Sequence, residues 1–265
     1  MKAIMKISSI LCLAAMALPL YITAQADDAN GPTVKLTPDK ILMATFYDGA
    51  QLRVEGMAAE GSQVIVVIKG PEVEEVFNKK GRVGPIWVNS GKVHISGVPS
   101  LFLSFSPKPV EELLSREAID QYQLDETAIR SQMKVEPPQQ DHDKIRANYL
   151  SLKTQQGIYR VISDGVKMGA PIQGGVPYIL DLHWPKKAPP AAYVVHVYEC
   201  RDDQVLRQST VPLSVEEVGF PAKMAYLAKD RAVLYGILAV IVAMIAGFGI
   251  DFLASLLGKK GVSAH

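Results

Sequence analysis

The chain has 265 residues, with 28 lysines and arginines against 27 aspartates and glutamates and a formal charge of +1. With no basic block in the sequence, this balance excludes capture of nucleic acid by charge. Cys12 and Cys200 are its only cysteines, which excludes a disulfide framework and leaves the fold to rest on its apolar core.

In chain order, the predicted elements start with a signal peptide over residues 1–26. Lys2 and Lys6 flank the start of an apolar run over 7–20, and Ala24-Gln25-Ala26 supplies the small residues of a cleavage site. The run is shorter than the roughly 20 residues a spanning helix needs. Leu11 before Cys12 is too large for lipoprotein processing. Cleavage after Ala26 sends the body out of the cytoplasm and leaves Cys200 as the single thiol.

Residues 33–107 read as an immunoglobulin-like β-sandwich. Strands are expected over 41–46, 51–57, 63–69, 73–78, 83–89, 92–95 and 101–105. Asp48-Gly49, Glu60-Gly61, Gly70-Pro71, Lys80-Gly81 and Ser90-Gly91 are the turn signals between them, because Gly accepts positive φ and Pro fixes its own. The continuously apolar Val64 to Ile68 suits a central strand covered on both faces.

A helical connector follows over 108–156, with helical spacing at 110–116, 118–122, 126–133 and, after Pro137-Pro138, at 143–152. A second, smaller β domain is expected over 157–218. Tyr178, Leu180, Leu182 and Trp184 share one face of a strand, and Val195 and Val197 lie on the buried face of the next. Residues 219–231 form a neck. The uncharged stretch from Ala232 to Ile250 reaches about 28 Å as a helix and has no polar stripe, so residues 232–257 are predicted to span the membrane. Residues 258–265 then form a short cytoplasmic tail. Lysines flank both ends of the span, so orientation rests on the signal peptide.

Nucleophile elbows, phosphate loops, zinc-protease helices and CxxC pairs are all missing from the sequence, and we expect neither catalysis nor a cofactor. Asp141-His142-Asp143 reads as a solvated cluster in a polar linker. Asp181 and His183 point away from Trp184, and His196, Tyr198 and Cys200 point away from Val195 and Val197. If those strands pair, His183, His196 and Cys200 meet on one outer face as a ligand set for zinc or copper. The competing reading is a plain solvent face. Ala239, Ala243, Gly247 and Asp251 repeat every four residues and so form one strip of the spanning helix. Along that strip a partner or a second copy could pack, unless the helix is a passive anchor.

Three blocks carry a family resemblance: Val64-Ile65-Val66-Val67-Ile68-Lys69-Gly70-Pro71, Gly81-Arg82-Val83 through Trp87-Val88-Asn89, and Tyr193-Val194-Val195-His196-Val197-Tyr198. Together they resemble the Alph_Pro_TM family of proteobacterial transmembrane proteins over nearly the whole mature chain. The resemblance implies architecture and no activity, because the family has no established one. It also implies a place beside permeases that look like sulfite exporters, and hence an accessory role to such a transporter.

Three functions follow as expectations. The first is a membrane-anchored periplasmic binding or assembly module, held in the inner membrane and meeting a permease or itself. Arg82, Trp87 and Asn89 are its first candidate contact surface, although core packing is the more ordinary use of Trp87. The second is a metal or redox protein built on the His and Cys cluster. The third is a purely structural envelope role.

Overall fold

The computed structural model describes residues 31–137 and 142–258. The predicted signal peptide, Asp141 and residues 259–265 of the predicted tail lie outside them. The chain is mainly β, as expected. Its first half runs β1 (Lys35–Thr37), β2 (Lys40–Met43), β3 (Gln51–Ala58), β4 (Gln63–Lys69), β5 (Glu72–Val83), β6 (Ile86–Pro99) and β7 (Phe102–Ser106). The connector holds α1 (Arg116–Tyr122), α2 (Glu126–Gln132), β8 (Lys134–Glu136) and α3 (His142–Gln155). Then come β9 (Tyr159–Ser163), β10 (Lys167–Met168), β11 (Val176–His183), β12 (Ala191–Arg201), β13 (Gln204–Glu217), α4 (Phe220–Asp230) and α5 (Ala232–Gly258).

The two β segments do not make two separate β domains. One sheet has the order β1-β3-β11-β10 and another β2-β13-β12-β4-β7-β9, so each takes strands from both segments. β3 pairs with β11 from Leu52↔Leu182 to Ala58↔Val176, and β4 pairs with β12 from Gln63↔Cys200 to Lys69↔Val194. Each segment alone would leave strand edges unpaired and half a core open, and interleaving them satisfies both. The strand order is also not that of an immunoglobulin sandwich, whose pairs are antiparallel. Here β2 runs parallel to β13 and β9 parallel to β7.

One apolar core joins the sheets. From the four-stranded sheet come Leu52, Val54, Tyr178, Leu180 and Leu182, and from the six-stranded sheet Val64, Val66, Val195 and Val197, all buried. Trp184 closes it, with no exposed surface and its ring 4.9 Å from that of Tyr193 in a T-shaped contact. The inward alternation of β11 is the one read from the sequence.

The connector packs on the far face of the six-stranded sheet. Ser115 and Asp125 cap α1 and α2 by accepting from the Ala118 and Ala128 amides, and the Arg116 guanidinium binds Asp120 and Asp125. Tyr122 then rests against Tyr198 at 5.2 Å. β5, β6 and β8 form a third sheet, to which α3 is pinned by the Lys153–Glu75 ion pair and the edge contact of Tyr149 with Phe77.

α5 begins where the span was predicted. Its residues Ala232–Ser255 are long and apolar enough to cross a bilayer, and none of that stretch is buried against the rest of the described chain. The predicted neck is α4, which starts with Pro221 in its first turn.

Candidate functional site

The most unusual surface is the free end of the β5–β6 hairpin. β8 pairs with β6 only at His94, Ile95 and Ser96, so beyond these positions the two long strands have only each other. The turn is Gly84-Pro85: Gly84 sits at φ 57°, which a tight two-residue hairpin turn requires at its first position, and Pro85 fixes the second. Arg82 Nε donates to the Gly84 carbonyl at 3.1 Å and steadies the turn.

The strand expected over 83–89 is interrupted by this turn, and the turns expected at Lys80-Gly81 and Ser90-Gly91 are not chain reversals. Those two pairs instead flank a register shift within one continuous ladder. Lys79 opposes Gly91 and Lys80 opposes Asn89, so Ser90 is the extra residue of a β-bulge. Turn residues marked a kink in one long hairpin rather than two chain reversals.

Trp87 is 68% exposed at this end, Val83 61% and Ile86 60%. The favoured core role for Trp87 therefore fails, because nothing in the described chain covers that half of β6. Arg82 pairs in register with Trp87, and Asn89 is exposed two positions further on. Val83 and Ile86 join the candidate surface as residues the sequence pattern does not single out. The signal lies in the turn between them, the two-residue Gly-Pro between two β-branched residues, the mark of a hairpin turn.

The predicted metal triad is not assembled. β11 and β12 lie in different sheets, so His183 never approaches His196 or Cys200. His183 stands on the outer face of the four-stranded sheet, where its Nδ1 meets Gln51 Nε2 at 3.3 Å. Beside it, Arg53 and Asp181 form an ion pair at 2.7 Å. His196 and Cys200 do share a face, but the connector covers it. Burial, with a smaller effect of Lys69, lowers the His196 pKa to about 4. Burial first, then Glu199, pushes the Cys200 thiol up to about 12, and that thiol donates to the Gln63 carbonyl at 3.4 Å. A thiol held protonated is neither a metal ligand nor a ready nucleophile. Among the described residues no group of three His, Cys, Asp or Glu is placed to hold a metal.

Ala239, Ala243, Gly247 and Asp251 all lie on α5 and are exposed. A side chain at Gly247 would meet nothing within 4 Å. His142 opens α3, and Asp143 pairs with Arg130 and Arg146.

These features define a mainly β protein with a projecting apolar hairpin end and, among the described residues, one helix long and apolar enough to cross a membrane. The chain belongs to the family described as "Putative transmembrane protein (Alph_Pro_TM)", whose model matches residues 33–255. No curated protein and no solved structure matches the chain.

Proposed function

We propose that the protein is a non-catalytic binding or assembly module of the cell envelope. In this reading its signal peptide exports the β body to the periplasm, and α5 holds it at the inner membrane with the C-terminus in the cytoplasm. The hairpin end is the contact surface for a membrane partner. The observation that carries this is the exposure at one hairpin end of Trp87, which shares a face with its register partner Arg82, and of Ile86 and Val83, which share the other face. Apolar side chains gathered at such an end, with Trp and Arg among them, are the composition of interface hot spots. The family resemblance favours a permease of the sulfite-exporter kind as the partner, and a second copy of the chain is the other candidate. Either one would also meet α5 along Ala239, Ala243, Gly247 and Asp251.

The test places a photoreactive phenylalanine derivative at position 87 of the full chain and irradiates native membranes. The expected product is one dominant adduct, identified by mass spectrometry as a multispanning permease or as the chain itself. The same probe at position 108, on the exposed surface, should give none. Equal, diffuse labelling from both positions would remove the hairpin from the reading. In parallel, Gly247→Leu with Asp251→Leu should weaken the detergent-stable complex, and an unchanged complex would reduce α5 to a passive anchor.

A further inference from the structure

A second surface lies at the root of the hairpin and is independent of its end. α3 is held against β5 at its C-terminal part, where Lys153 reaches Glu75 at 2.5 Å and Tyr149 packs on Phe77. Between this sheet and the α3 face that carries Lys144 to Leu152 lies a cleft of about 390 Å³, within the range of small-molecule pockets. Phe77, Val93 and Ile95 form one wall. Ile145, Tyr149 and Leu152 form the other, spaced so that they share one stripe of the helix. The stripe is about 10 Å long, so the cleft is an apolar slot rather than a round cavity.

Among the described residues, the charged side chains that line the cleft are cationic. Lys79, Lys80 and Lys144 line the cleft, and no carboxylate is among its lining residues. Among the described residues, Glu75 is paired with Lys153, and Asp143 with Arg130 and Arg146. An apolar slot below a cationic rim complements an apolar tail carrying an anionic head. The slot's walls are apolar side chains of a sheet face and of one helix stripe, a lining that a flexible apolar tail fills. A chain anchored by α5 also works beside a bilayer, the source of such molecules.

We infer that the cleft between α3 and the root of the β5–β6 hairpin binds a free fatty acid, with its tail along Ile145, Tyr149 and Leu152 and its carboxylate at Lys80 and Lys144. The inference does not depend on any protein partner of the hairpin end.

The experiment keeps the full chain in native membrane discs and uses a photoreactive laurate as probe, with adducts mapped by peptide mass spectrometry. Labels are expected on the segments 77–95 and 144–152. Unlabelled laurate should compete and dodecanol should not, because the alcohol lacks the charge. Lys80→Glu with Lys144→Glu should lower labelling about fivefold or more, whereas Lys108→Glu, on a distant exposed surface, should leave it unchanged. Both lysines are exposed, so the fold should survive, and the native circular dichroism spectrum of the variant checks this. Labels confined to α5 would overturn the inference, as would dodecanol competing as well as the acid. A stronger effect of phosphatidylglycerol than of laurate would also overturn it, by assigning the rim to phospholipid headgroups.

Discussion

The two tryptophans divide the molecule. Trp184 follows a strand of alternating residues and is wholly buried, while Trp87 lies within another strand of comparable composition and is 68% exposed. β11, before Trp184, has β3 on one side and β10 on the other and a second sheet beneath it, whereas the outer half of β6 has only β5. Alternation fixes which residues share a face of a strand, but not whether anything covers that face. The layered body is therefore governed by packing, and the hairpin end is free to serve contact.

The largest expected effect tests the body side of this contrast. Trp184→Ala removes an indole that fills the core against Tyr193, and it should cost about 3–5 kcal/mol in denaturant unfolding of the full chain. A loss below about 1 kcal/mol would mean that the core collapses around the gap, contrary to interior packing at native density.

Glu199 gives the next effect. It is fully buried, accepts from Ser62 Oγ at 2.7 Å and pairs with Arg207 at 2.5 Å. Glu199→Gln leaves Arg207 able to turn to solvent, since its side chain is 39% exposed. The cost should therefore be about 2 kcal/mol, below that of breaking a fully enclosed pair. The same unfolding assay reads it, and a neutral result would show that Arg207 contributes nothing to holding the β12–β13 ladder.

A smaller effect depends on pH. His196 titrates at about 4 in the folded chain, against 6.5 for the ordinary residue, chiefly because it is buried under the connector. The unfolded chain therefore binds a proton that the folded chain refuses. The stability tied to this residue is whole above about pH 6.5, falls between pH 6.5 and about 4, and stays low below that. Partial solvent access limits the loss to about 1–2 kcal/mol. Comparing unfolding midpoints of His196→Gln and the parent at pH 7 and pH 4.5 cancels the carboxylates common to both. Parallel slopes would mean that the connector does not seal this face.

The same contrast explains what could be read in the sequence. β4 was placed at both ends because a continuous apolar run sits between Glu60-Gly61 and Gly70-Pro71, all of it local information. α2 was placed within a residue, and Asp125 is its cap. The interleaving of the two β segments was not legible, because the partners of β3 and β4 lie more than a hundred residues away in β11 and β12. The metal triad failed for that reason: the faces of His183, His196 and Cys200 were assigned correctly, but pairing β11 with β12 was a guess about register and sheet. Arg82, Trp87 and Asn89 stood out as a block, yet the exposure of Trp87 depends on how far β8 extends along β6, which no local pattern records.

The smallest expected change in stability carries the sharpest test of the hairpin. Trp87→Ala should shift unfolding by no more than about 0.5 kcal/mol, because the side chain has little packing to lose. Ile86→Ser should do no more, its partner Val83 being exposed as well. Both changes should nevertheless abolish the adduct formed from a photoreactive residue at neighbouring position 83 in native membranes, since an exposed anchor spends its apolar surface on a partner and not on the fold. A destabilisation comparable to that of Trp184→Ala would instead return Trp87 to the core and erase the division between the two halves of the molecule. An adduct that survived both substitutions would show that Trp87 and Ile86 are not the anchors of that contact.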